Sequence, residues 1–121
     1  MQNAEYKTVT PVQVEKRLVE LSKEIDEAHK FLSDSEMEYY TIKSDCEINL
    51  AEERLAIAKS GMKFTVQEKE DMALTTCSEI VRLLAVTEAK VRAARGNAAR
   101  IRIQVDIARS VGTSVRSSME I

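Results

Sequence analysis

The sequence contains no tryptophan, and turn-forming residues are scarce, with one proline and three glycines among 121 residues. Aromatic residues make up only 4% of the chain, which leaves few large side chains for layers around a thick core. Charged residues reach 31%, in a composition otherwise rich in helix formers. We therefore predict long helices with narrow apolar stripes, in a chain of one domain at most.

Long apolar runs are also missing, because none is longer than the run from Leu83 to Val86, which is far shorter than the roughly 20 residues that span a bilayer. Residues 1–10 form a polar tail that lacks the apolar segment of a secretory signal. Two cysteines and one histidine supply neither a disulfide framework nor four zinc ligands. We expect a cytoplasmic protein with no membrane contact, no metal and no cofactor.

Two capping boxes indicate where helices begin. Thr10 and Gln13 are three residues apart, and Pro11 between them suits the first helical position. Thr65 and Glu68 repeat the same pattern further along the chain. Each pair predicts a helix that starts at the residue after the threonine.

The break between the two predicted helices is short. Gly61 can adopt the left-handed conformation that ends a helix. The sequence predicts helices over residues 11–60 and 66–117, joined by a turn at 61–65. Because so short a turn makes two helices lie back against each other, the predicted fold class is all-α, an antiparallel helical hairpin over residues 11–121 with coiled-coil-like packing.

Apolar and small residues recur in alternating steps of four and three, which is the pattern of a coiled-coil seam. In the first helix the seam contains Val14, Leu18, Leu21, Ile25, Ala28, Leu32, Ser35, Tyr39, Ile42 and Cys46, and a stutter then shifts it to Ile48, Ala51, Leu55, Ala58 and Met62. In the second helix it contains Ala73, Cys77, Ile80, Leu84, Thr87, Val91, Ala94, Ala98, Ile101, Val105, Ala108, Gly112, Val115 and Met119.

Further apolar residues lie off this seam. A hairpin that buries one stripe per helix is too thin to be stable alone, so we expect a homo-oligomer, most simply a dimer that forms a four-helix bundle. The candidate interface residues are Leu74, Val81, Leu83, Ala99, Ile103, Ile107 and Val111, with Met37, Tyr40 and Ile48 on the first helix.

Charge is divided unevenly along the chain, whose net charge is -2. Residues 1–60 contain 13 acidic and 8 basic side chains, whereas residues 61–121 contain 7 acidic and 10 basic ones. Four arginines of the second half lie seven residues apart beside the seam: Arg95, Arg102, Arg109 and Arg116. If the chain reverses near residue 63, the expected ion pairs are Arg109 with Glu15, Arg95 with Glu36, and Lys90 with Glu38.

Other arginines have no partner in this arrangement and could contact a nucleic-acid backbone or a protein. No aromatic residue is interleaved with them, so stacking on bases is not expected. These candidate contact residues are Arg92, Arg100, Arg102 and Arg116.

Two further features could carry chemistry. Cys46 and Cys77 both fall on the seam near the turn, either as ordinary small seam residues or as a thiol pair that oxidation closes. His29 lies on a charged flank, and Glu52 and Glu53 lack the histidines of a di-iron bundle. Since no base stands beside a nucleophile, we predict no catalytic residue and no enzyme.

Three segments resemble small helical proteins of tailed bacteriophages, which are often encoded near phage replication and recombination genes. They are Val14-Glu15-Lys16-Arg17-Leu18, Leu21-Ser22-Lys23-Glu24-Ile25, and Arg100-Ile101-Arg102-Ile103-Gln104-Val105-Asp106-Ile107-Ala108-Arg109-Ser110. The resemblance spans most of the chain and implies an early phage protein in the host cytoplasm that acts by interaction. Those relatives have no assigned activity and no agreed functional residues.

The resulting hypothesis is a non-enzymatic oligomeric adaptor, accessory to phage DNA recombination or replication, with an unidentified protein or nucleic-acid partner. The alternative is a phage inhibitor of a host enzyme or defence system that occupies a groove for nucleic acid or protein.

Overall fold

The computed structural model describes residues 9–119, and nearly all of them are helical. Three helices follow one another along the chain: α1 is Pro11–Lys59, α2 is Val66–Thr76 and α3 is Ser78–Met119. No strand occurs in this part of the chain. The predicted all-α class is therefore confirmed, whereas most of the predicted polar tail, residues 1–8, lies outside the described residues.

Helix α1 begins at the first predicted capping box. The backbone N–H of Thr10 donates to Oε1 of Gln13 at 3.0 Å, and the backbone N–H of Gln13 donates to Oγ1 of Thr10 at 3.3 Å. After α1, Gly61 has a φ of 74°, the left-handed conformation expected for it. Both local predictions are confirmed, because each depends only on residues a few positions apart.

Helix α2 begins at the second box. The backbone N–H of Glu68 donates to Oγ1 of Thr65 at 3.1 Å, and the backbone N–H of Thr65 donates to Oε1 of Glu68 at 3.1 Å. That donated backbone hydrogen bond, assisted by the threonine hydroxyl, lowers the pKa of Glu68 below its ordinary value of 4.5. The charged carboxylate thus caps the helix.

Acid is expected to weaken this cap. Because the folded-state pKa of Glu68 is depressed, its contribution to stability is present above pH 4.5 and is lost as the pH falls through the folded-state pKa. Replacing Glu68 with glutamine keeps a hydrogen-bond acceptor and removes the titration, so the variant should lose less stability over that range. Urea unfolding at several pH values measures the unfolding free energy of both proteins. An equal dependence of that free energy on pH in both proteins would contradict the prediction.

The predicted single helix over residues 66–117 is wrong, because the chain is interrupted at Cys77 between α2 and α3. The Thr75 hydroxyl donates to the carbonyl oxygen of Asp71 at 2.7 Å, and threonine bonds of this kind bend helices. Backbone bonds continue across the interruption, from Cys77 to Ala73 at 3.0 Å and from Val81 to Cys77 at 3.1 Å. The interruption is a single turn residue, Cys77, with a φ of -96° and a ψ of 19°.

The described residues group into two compact units. The first contains the residues up to Lys30 and those from Gly96 onward, where α1 packs against α3. Its buried cluster consists of Leu21, Ala28, Ala98 and Ile101, and the half-buried Ile25, Val105 and Ala108 pack against that cluster. All seven are predicted seam residues, so the seam is confirmed in this unit.

The second unit is Phe31–Arg95. The Thr87 side chain is fully buried, and its hydroxyl donates to the carbonyl oxygen of Leu84 at 2.9 Å, which satisfies the buried polar group. Small and polar residues share this interior with apolar ones. The buried residues of the unit are Ser35, Cys46, Ile57, Ala73, Thr87, Val91 and Ala94.

The continuation of the α1 seam beyond Cys46 differs from the prediction. The inward positions are the half-buried Leu50 and Glu53 and the buried Ile57. Two successive steps of four, from Ile42 to Cys46 and on to Leu50, do form a stutter. The residues assigned to the shifted seam are nevertheless exposed: Ile48, Ala51, Leu55, Ala58 and Met62.

Candidate functional site

An exposed row of apolar residues lies on α3 in the first unit. Ile103, Ile107 and Val111 are 59%, 58% and 38% exposed, and Ala99 is also exposed. These four residues, which we call the apolar ridge, are spaced four apart. Such a row winds slowly around a helix and forms the ridge that packs into grooves of a second helix.

The C-terminal end of the apolar ridge borders a hollow. Ile107 and Val111 line a space of about 280 Å³ together with Val14, Arg17 and Leu21 of α1. Apolar side chains make up most of the wall. The arginine itself is paired, since Nη1 lies 3.4 Å from Glu20 and 3.7 Å from Glu24.

The other predicted interface residues of the second helix lie in the second unit. Val81 is half-buried, and Leu83 follows it by two residues, which rotates its side chain by about 200° around the helix axis. Leu74 is exposed and lies on α2. Val81 and Leu83 therefore do not share a face of α3.

The assumption that four arginines lack a partner is also wrong for three of them. Arg92 pairs with Glu88 of the same helix at 2.6 Å, and Arg100 donates to Oδ1 of Asn97 at 2.6 Å. Nη2 of Arg102 lies 3.3 Å from Nε2 of His29. An arginine can only donate, so the histidine nitrogen accepts and this contact neutralises no charge.

Seven-residue spacing groups the arginines differently. Arg102, Arg109 and Arg116, which we call the basic row, recur at nearly the same angle around α3, whereas Arg100 lies about 200° from Arg102. Arg109 and Arg116 line a hollow of about 310 Å³ with Glu15. Within residues 9–119 no carboxylate lies within 4.0 Å of either guanidinium, so the predicted pair of Arg109 with Glu15 is not formed.

Two predicted ion pairs of the second unit are confirmed. Nζ of Lys90 lies 3.3 Å from Glu38, and Nη2 of Arg95 lies 3.7 Å from Glu36. Both pairs are exposed, so each contributes at most about 1 kcal/mol to stability. Their value here is to show which residues of α1 and α3 lie opposite each other in this unit.

Both cysteines are free thiols. Cys46 is buried in the seam, and the half-buried Cys77 lines a hollow with Asn49, Glu52 and Glu53. Cys77 thus lies beside α1 residues that follow Cys46 by up to seven positions, about 10 Å along a helix. Both interpretations, small seam residues and a thiol pair that oxidation closes, stay predictions.

Metal and membrane chemistry have no counterpart in the described part of the chain. Among residues 9–119, no group of three or more His, Cys, Asp or Glu side chains is placed to hold a metal ion. None of the described helices has an apolar stretch long enough to cross a membrane.

Comparisons of the chain with protein-family models, with curated proteins and with solved structures find no match. The resemblance to small helical phage proteins therefore stays a prediction.

Proposed function

We propose that this chain is an antiparallel helical hairpin that pairs with a second copy of itself and acts by binding other molecules, without catalysis. The direction of pairing is supported by contacts in each unit. In the second unit Glu38 pairs with Lys90 while the later Arg54 pairs with the earlier Glu70 at 3.0 Å. In the first, Gly112 lies directly against Val14.

The observation that carries the dimer is the apolar ridge. The row contains three large aliphatic side chains, each more than a third exposed to water. Covering them with another surface would lower the free energy, because it removes apolar area from water. Residues spaced four apart favour helices that cross at about -50°, rather than the shallow angle of a coiled coil. A crossed pair of hairpins fits this ridge better than the regular four-helix bundle expected from the sequence.

A second copy suits the ridge because the ridge is self-complementary. A two-fold axis between Ile103 and Ile107 would place the small Ala99 opposite Val111 of the other copy.

Sedimentation velocity tests the proposal. The double substitution Ile103→Glu with Ile107→Glu places charges at the centre of the interface and should raise the dimer dissociation constant at least about 100-fold. Val19→Glu is the matched control, because Val19 is 57% exposed in the same unit but lies on α1. A monomeric wild-type chain at about 100 μM, or a double variant that dimerises as well as the control, would refute the proposal.

An accessory role in phage DNA recombination or replication would be one use of such a dimer. That role is supported only by the sequence resemblance, and the surface described next supplies an independent reason to test nucleic acid.

A further inference from the structure

We propose that the basic row, Arg102, Arg109 and Arg116, binds the phosphodiester backbone of nucleic acid. The inference does not depend on the proposed dimer, because it uses a different face of α3.

The spacing of the row suits a repeating anion. Seven residues correspond to a rise of about 10.5 Å, so three guanidiniums are spread over about 21 Å of one helix face. A guanidinium donates two parallel hydrogen bonds to a phosphate and keeps its charge at every physiological pH. Three such groups in line can follow one strand of a nucleic acid.

Among residues 9–119, no ion pair cancels the charges of the row. Arg102 contacts Nε2 of His29, which carries no negative charge, and no carboxylate within residues 9–119 lies within 4.0 Å of Arg109 or Arg116. Two carboxylates are nevertheless close to this face. Glu15 lines the hollow that contains Arg109 and Arg116, and Asp106 precedes Arg109 by one helical turn.

Base recognition is not expected on this face. Residues 9–30 and 96–119 contain no Phe, Tyr or Trp side chain on which a base could stack. Binding should therefore be insensitive to sequence and should depend strongly on salt. The whole chain has a net charge of -2, so its overall charge does not attract the negatively charged phosphates. Binding therefore depends on the basic row.

Fluorescence anisotropy with a labelled 30-nucleotide probe, single-stranded in one arm and duplex in the other, tests the proposal. Three phosphate contacts predict a slope of log K against log salt of about -2 for the single strand and about -3 for the duplex. Arg109→Gln should weaken binding about five- to eightfold near 0.1 M salt and make the slope shallower by about one contact. Asp106→Asn should strengthen binding, because it removes a neighbouring negative charge.

Arg100→Gln is the matched control, since it removes the same charge from the same helix on the opposite side. Arg109→Lys keeps the charge and should retain the slope, and circular dichroism verifies that each variant is helical. Equal losses in Arg100→Gln and Arg109→Gln would overturn the proposal. A slope of log K against log salt shallower than about -1 for the wild-type chain on both probes would also overturn it. That result would leave an acidic protein as the partner of this face.

Discussion

Replacing Leu21 with alanine should lower the free energy of unfolding by about 2–5 kcal/mol. Leu21 is 1% exposed and is the largest apolar side chain that is fully buried among the described residues. Its truncation removes apolar contacts and leaves a cavity between α1 and α3. The neighbouring buried side chains are mostly alanines, which are too small to fill the cavity. Urea unfolding followed by circular dichroism at 222 nm measures the change.

Val19→Ala serves as the control for this experiment. Val19 is 57% exposed on the same helix, so its truncation should change stability by less than about 0.5 kcal/mol. Both variants must be compared at one protein concentration, because an oligomer gains stability by mass action. A loss below about 1 kcal/mol for Leu21→Ala would mean that the described packing of α1 on α3 is not the packing in solution.

Enlarging a small residue of the same interior should also destabilise the protein. Ala98 is 3% exposed and belongs to the cluster with Ala28 and Ile101. A leucine at position 98 has no space unless the two helices separate, which should cost about 1–3 kcal/mol. The loss should occur although leucine and alanine have similar helix propensities.

The matched control is Ala93→Leu, the same substitution at an exposed position of α3. It should leave the unfolding free energy within about 0.5 kcal/mol of the wild-type value. Thermal and urea unfolding of both variants separate a packing effect from a helix-propensity effect. Equal stability of Ala98→Leu and Ala93→Leu would contradict the close approach of α1 and α3 in the first unit.

Local signals in the sequence predicted local structure well. The Thr10 and Thr65 caps and the left-handed Gly61 depend on neighbouring residues, and all three are confirmed. The seam was also predictable where its residues are small or apolar. It was misassigned after Cys46 because the true inward position is occupied by Glu53, while apolar residues such as Leu55 occupy the exposed side. A pattern of hydrophobicity cannot identify an inward glutamate.

The candidate surfaces were predictable only in part. Facing residues in the second unit were assigned correctly, as the pair of Lys90 with Glu38 illustrates. Partners within one helix were overlooked, because the salt bridge from Arg92 to Glu88 needs no second helix. The better guide to the basic row was its seven-residue spacing, which places Arg102 and Arg109 on one face and separates them from Arg100.

The small residues of the first unit have a consequence for what folding costs. Ala28, Ala98 and Ala108 lie in or against the buried cluster. Alanine loses no rotamer freedom when it becomes immobile, whereas each buried leucine or isoleucine loses about 0.5–1 kcal/mol of side-chain entropy. This part of the chain therefore orders few rotamers, which offsets the modest apolar area that its narrow interior withdraws from water.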